Sequence, residues 1–327
     1  MLLVGDIGGT RARLSLLVQS GERIRTSRHE VYESRRFPSL EAVLREFLGT
    51  PAPKVSAAAF GVAGPVVNGR CVATNLPWVV DARALSRKLD IKKVTLLNDL
   101  VALSLGALEV PRGKLRVMGE AGPPKRRGAN VAVIAAGTGL GEAMLVWDGQ
   151  RFVPSATEGG HGDFAPGDDL QVELLRFLRG RFGHVSVERV LSGNGLANVY
   201  DFFREGRGVP EAPETVEAIA SAADRNAAIA QLGLSGKSDA AARAVDLFAI
   251  VYGAEAGNLA LRTLAVGGVY VCGNIAARML PVLERGTFLA AFVDKGRFKP
   301  MMEKIPVAVV LDSDVGLAGA TRAAIEK

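Results

Sequence analysis

Three times along the 327-residue chain an apolar run stops in glycine and a small polar residue, then resumes as regular structure. In the first, LLVGDIGGTRARLSLLV (residues 2–18), Ala12, Leu14 and Leu16 alternate with Arg13, Ser15 and Leu17 as in a half-buried strand. This predicts strand, tight turn, strand. The second, VAVIAAGTGLGEAMLVW (131–147), predicts the same shape, with Gly137, Thr138, Gly139 and Gly141 in the turn. The third, GGVYVCGNIAARML (267–280), is a β-branched run into Gly273 and Asn274 followed by helical spacing, and predicts strand, turn, helix.

Helical periodicity is clearest from the cap signals Ser238 and Asp239 to Gly267, with Ala241, Val245, Phe248, Val251 and Tyr252 on one face of a long core helix. The alanine-rich stretch 213–231 reads as one further helix ended near Gly233. Strands concentrate in residues 1–97. PVAVVL (306–311) is a last strand, expected to return to the first domain's sheet ahead of the helical tail GLAGATRAAIEK. The expected division is a discontinuous small α/β domain, 1–107 plus 306–327, and a large α/β domain, 108–305. A chain of this length exceeds the usual size of a single core, which favours two domains.

Composition changes this picture little: 48% hydrophobic and 23% charged residues are those of a globular protein. The net charge of +6 is modest and suits an anionic ligand, but the basic residues are scattered. Their densest group, Lys125, Arg126 and Arg127, sits in a Pro/Gly loop without stacking aromatics, so no nucleic-acid partner is expected. Cys71 and Cys272 offer neither a disulfide framework nor a metal motif and suit a reducing cytoplasm. With Asp6 after only five residues there is no room for a signal peptide. The longest apolar stretch, 131–147, is interrupted and too short for a spanning helix, so no membrane partner is expected.

Glycine-rich turns let successive N–H groups converge on an anion, and phosphate is the obvious guest, although one Gly-Gly-Thr turn alone is equally a simple hairpin. Two such hairpins, one in each expected domain, and a third turn at Gly273 favour a nucleotide. A carboxylate at Asp6 would repel phosphate unless a divalent cation stood between them, which suits Mg2+ with its retained waters; an Asx turn is the alternative. Walker-type and dinucleotide-binding glycine patterns are absent from the sequence. Asn98 and Asp99 end a strand before an apolar helix, where either is an N-cap, or Asp99 is the base that takes a proton from an attacking hydroxyl. Glu158 and His161 flank two glycines in an aperiodic run, either a surface turn or a set of polyol contacts. Glu188 follows a candidate cap, Ser186, and is either a first-turn acid or a third polyol contact. The spread of these groups does not suit a zinc site.

Taken together and in order, GDIGGTRARL, LLNDLVALSLG, AAGTGLGEAML, EGGHGDFAP, ERVLSGNGLANVY, YGAEAGNLALRTLAVGGVYVCGNIA, AFVDKGRF and PVAVVLDSDVGLAGA make the chain similar to bacterial glucokinases of the hexokinase-like, actin-type ATPase superfamily, over nearly its whole length. The resemblance implies a two-domain actin/hexokinase-like (ribonuclease H-like) α/β fold with mixed sheets and an inter-domain cleft. It implies ATP and Mg2+ as cofactors, glucose or a close hexose as substrate, phosphoryl transfer to the sugar's 6-hydroxyl, and a homodimer. Its first phosphate hairpin matches Gly5, Asp6, Ile7, Gly8, Gly9 and Thr10, its second Gly137, Thr138 and Gly139, and its adenosine-side turn Gly273. Its sugar contacts match Asn98, Asp99, Glu158, His161 and Glu188, with Asp99 as general base; Asp6 is the metal-side carboxylate, acting through water. Arg11 stands where the family usually has asparagine, and Asn274 where it has a second glycine, a change that asparagine's tolerance of left-handed angles would absorb. The cysteine-rich zinc motif of the related ROK-type sugar kinases is absent from the sequence, which points to the zinc-free branch.

Overall fold

The computed structural model describes residues 1–21, 23–74 and 76–325. It groups the chain into two compact units, Met1–Pro111 with Pro154–Ala156 and Asp312–Lys327, and Arg112–Val153 with Thr157–Leu311. The last two residues of the expected segment 306–327 lie outside the described residues.

The first unit is built on a five-stranded mixed sheet in the order Arg23–Glu33, Arg11–Ser20, Leu2–Ile7, Ala57–Val62, Lys93–Asn98. The first three strands are antiparallel, and the last two run parallel to Leu2–Ile7. Both faces of the central strands are covered, which is why they read as near-continuous apolar runs. On one face Leu3, Ile7 and Phe60 pack with Phe47 and Trp78. On the other, Leu2, Val4, Ala57 and Ala59 pack with Leu317, Ala320 and Ala323 of the helix Val315–Ile325. The expected alternation in the second strand is therefore incomplete: Ser15 and Leu17, predicted outward, are buried as well.

The second unit, but for Pro154–Ala156 of the edge strand, carries a six-stranded sheet in the order Phe152–Thr157, Leu140–Trp147, Val131–Ala136, Gly268–Cys272, Val307–Val310, Leu115–Met118. Its centre repeats the first unit's plan, an antiparallel hairpin whose first strand also pairs parallel with a later strand. The helix Asp239–Thr263 is long and apolar enough to cross a membrane, yet it is the buried core helix of this unit. Ser238 caps it by accepting the Ala241 N–H at 3.0 Å, and all five residues of its predicted apolar face are buried.

Four further sequence expectations are corrected. The helix predicted to run to Gly267 stops at Thr263, closed by Leu264 in the left-handed region at φ 47°. The single helix over 213–231 is two, Pro213–Ser221 and Arg225–Leu234, because Asp224 leaves the helix and accepts the Ala227 N–H at 3.0 Å. Gly141 lies in a strand opposite Ala135 rather than in the turn. The strand at 306–311 does not return to the first sheet: Val307–Val310 lies between Gly268–Cys272 and Leu115–Met118, where both its edges find hydrogen-bond partners.

Candidate functional site

In the first unit, Asp6 and Arg13 face each other across the opening hairpin, and Arg13 Nη1 donates to Asp6 Oδ2 at 3.0 Å. The turn between them is closed by the Gly8 N–H donating to the Arg11 carbonyl at 2.9 Å, and Ser34 Oγ donates to the Gly8 carbonyl at 2.8 Å. Gly8, Gly9 and Thr10 thus form an anchored, partly open loop with Thr10 and Arg11 exposed. Burial raises the proton affinity of Asp6, Arg13 opposes that, and the negative charge of Asp314 adds to it. Asp6, with the charge of Asp314 acting on it, offers only hard oxygen donors, which fit a divalent cation held through water. Sequence spacing alone does not single out Arg13; it becomes visible once the hairpin register sets it opposite Asp6.

The strand Lys93–Asn98 runs directly into the helix Asp99–Ala107, and Asn98 is its N-cap. The Asn98 Oδ1 accepts from the Leu100 N–H at 2.9 Å, while its Nδ2 donates to the Gly64 carbonyl at 3.1 Å and to Asp99 Oδ1 at 3.0 Å. The same Oδ1 of Asp99 accepts from the Leu100 N–H at 3.0 Å. The carboxylate is therefore fixed at a strand's C-terminal end and a helix N-terminus, half-buried, with its orientation set by its neighbours. The capping role falls to Asn98, so Asp99 is not needed for it.

In the second unit the turn Gly137–Gly139 is closed by the Gly137 N–H donating to the Gly139 carbonyl at 2.8 Å, and the Gly193 N–H donates to the Gly137 carbonyl at 2.8 Å. A cavity of about 280 Å³ opens beside it, lined by Thr138, Asn194, Asn226, Asn274 and Arg278 among others. Gly273 enters this region at φ 94°, and a Cβ there would lie 2.8 Å from the Ala136 carbonyl oxygen, so no other residue fits. Asn274 is the first residue of the helix Asn274–Leu283, so the left-handed angle falls on Gly273 and asparagine's tolerance of it is not used.

Glu158 precedes the single turn Gly159–His161 and His161 ends it, both with exposed side chains, His161 Nε2 being 4.0 Å from Glu158 Oε2. The turn is tied to the next segment by the Val187 N–H donating to the Gly162 carbonyl at 2.9 Å. There, Ser186 makes no side-chain cap, contrary to the expectation. Glu188 does something else: its Oε2 accepts the Leu140 N–H at 2.8 Å and lies against Gly139, so the acid clamps the outgoing end of the turn Gly137–Gly139. Asn98 and Asp99 thus stand together in the first unit, and Glu158, His161 and Glu188 on neighbouring turns of the second.

Both units thus open a mixed sheet with a glycine–threonine hairpin, one carrying a positioned carboxylate at a strand end and the other a cavity beside its turn. Comparison with known proteins gives this arrangement a family. Residues 3–327 match the Glucokinase family model. A glucokinase of Nostoc sp. is 37% identical, covering 98% of this chain and 97% of the relative, and one of Synechocystis sp. is 39% identical, covering 97% and 96%. Among solved structures, a glucokinase from an Antarctic psychrotroph superposes with a TM-score of 0.86 at 30% identity, covering 99% of this chain and 98% of that one. The chain belongs to the glucokinase family. A ROK-family glucokinase from Streptomyces griseus, solved with glucose and AMPPNP, shares the fold at 20% identity and a TM-score of 0.66, covering 99% of this chain and 98% of that one.

Proposed function

We propose that the protein transfers the γ-phosphoryl group of ATP to the 6-hydroxyl of glucose, giving glucose 6-phosphate and ADP, with its two compact units as the two domains of the enzyme. The observation that carries the residue assignment is Asp99: a carboxylate held by Asn98 and the Leu100 N–H, at a helix start that already has its cap. In this reading the sugar's O6 attacks the γ-phosphorus, the bond to the ADP oxygen breaks, and the O6 proton passes to Asp99. Asn98, Glu158, His161 and Glu188 accept or donate hydrogen bonds to the other hydroxyls and so orient O6. The N–H groups of Gly8, Gly9 and Thr10, and of Gly137, Thr138 and Gly139, take the phosphates, and Gly273 borders the adenosine. Asp6 holds Mg2+ through water; when bound, the ion neutralises charge on the transferring phosphoryl group.

The same reading places the chain in the zinc-free branch of these kinases, as a homodimer, in the cytoplasm. Its two cysteines, Cys71 and Cys272, are free, buried thiols, which accords with a reducing compartment. Release of ADP from MgATP, measured with glucose, mannose, fructose, galactose, N-acetylglucosamine and no sugar, tests the activity. Turnover that depends on glucose and exceeds that with the other sugars supports it. Equal turnover without sugar would point to an ATPase of another kind, and none with any sugar would overturn the kinase reading.

A further inference from the structure

Glu142 is the third residue of the strand that leaves the second phosphate turn, and its side chain is 1% exposed. It shares one nitrogen of Arg262 with Glu255 of the core helix, itself buried, and the two carboxyl groups act on each other. Arg262 is the cation that faces both, 2.8 Å from Glu255 and 3.7 Å from Glu142. Asn258 donates to Glu255 Oε2 at 3.0 Å, and the charge of Lys295, next to Asp294, also acts on Glu255. Two buried carboxyls against one half-exposed guanidinium cannot both ionise without a large cost, so one keeps its proton. Glu142 is that one: Arg262 sits closer to Glu255, and Glu142 Oε1 finds no hydrogen-bond partner. Burial, then the charge of Glu255, raises its proton affinity to about 8.

The other oxygen of Glu142 forms the floor of the turn that carries Glu158 and His161. A Cβ on Gly159 would fall on Glu142 Oε2. Thr157 Oγ1 donates to the Glu142 carbonyl at 3.2 Å and accepts the Gly159 N–H at 3.1 Å. Gly160 rests on the Leu140 backbone two residues away. We propose that Glu142, kept as a neutral acid by its contact with Glu255, is a positioning residue for the turn Glu158–His161, and that losing its proton shifts that turn and weakens sugar binding. This rests on the reading of Glu158 and His161 as sugar contacts.

Glu142→Gln tests it, since the amide keeps the shape and has no proton to lose in this range. Glucose KM and kcat are measured from pH 6.5 to 9.5, together with amide hydrogen exchange at His161 and Gly162, corrected for intrinsic rates. In the wild type, KM rises roughly three- to tenfold between pH 7 and 9, the response of a group titrating near 8, while kcat moves less. Protection of the two amides falls over the same range. In Glu142→Gln both stay level. Should that variant not fold, Glu255→Gln serves: removing the neighbouring charge moves the KM rise and the loss of protection to lower pH. Parallel profiles in wild type and variant, or a level wild type, overturn the inference. Protection that responds to pH with no glucose-dependent turnover at any pH would overturn the sugar reading instead, while sustaining the hold of Glu142 on the turn.

Discussion

Asp99 is fixed at one oxygen by Asn98 Nδ2 and the Leu100 N–H, so replacing it by asparagine should change the chemistry more than the geometry. Asp99→Asn is expected to lower kcat about 10² to 10⁴-fold, the usual contribution of a general base, with glucose KM changed far less. Steady-state kinetics check this; near wild-type kcat would return Asp99 to a structural role at the helix start. At this scale the sequence reveals residues whose chemistry is unusual for their setting, such as glycines in an apolar run or a carboxylate at a strand end. It does not reveal those whose role depends on what lies opposite. Arg13 reads there as an outward strand residue, and Glu142 as an interruption of an apolar stretch. Only the hairpin register gives Arg13 to Asp6, and only the packing of the core helix gives Glu142 to Glu255.

Among elements, the crossing of the helices Asp99–Ala107 and Val315–Ile325 bears directly on Asp99. Gly106 lies against the Val315 carbonyl and Gly319 against the Ala102 carbonyl, each so close that a Cβ would occupy the oxygen's place. The pair is tied at its far end by Arg322 donating to Glu109 at 2.9 Å. Gly106→Ala or Gly319→Ala should therefore cost about 1–3 kcal/mol or more through forced separation of the helices. Gly113→Ala, where a Cβ meets nothing, is expected to leave stability within about 0.5 kcal/mol. Chemical denaturation of the three variants distinguishes them, and equal midpoints would refute the close-packing account. Element types were legible where periodicity ran long, as in Asp239–Thr263. The break at Asp224 was not, because one side-chain cap overrode a run of good helix formers.

For the whole molecule, the strand-turn-strand pattern that opens each of the two sheets was legible. The partner of the strand at 306–311 was not, since several parallel edges accept an apolar run of that kind. Its position makes a prediction. A chain ended at Leu311 keeps all six strands of the second sheet but strips the helix Val315–Ile325 from the first unit. Hydrogen exchange in it should show Leu2–Ile7 and Ala57–Val62 losing protection while Val131–Ala136 and Gly268–Cys272 retain it. Protection lost evenly across both sheets would contradict this division.

The same helix sets the order in which the chain can mature on the ribosome. Every strand of the first sheet has been made by Asn98, yet the residues that cover Leu2, Val4, Leu17, Ala57 and Ala59 begin only at Val315. At about 5–20 residues per second, the intervening stretch takes roughly 10–40 s to synthesise. For that interval these apolar side chains wait without the helix that covers them, a landing place for a holding chaperone and a hazard in a crowded cell. The nascent chain is most exposed not while its first domain is being built but while the rest of the protein is.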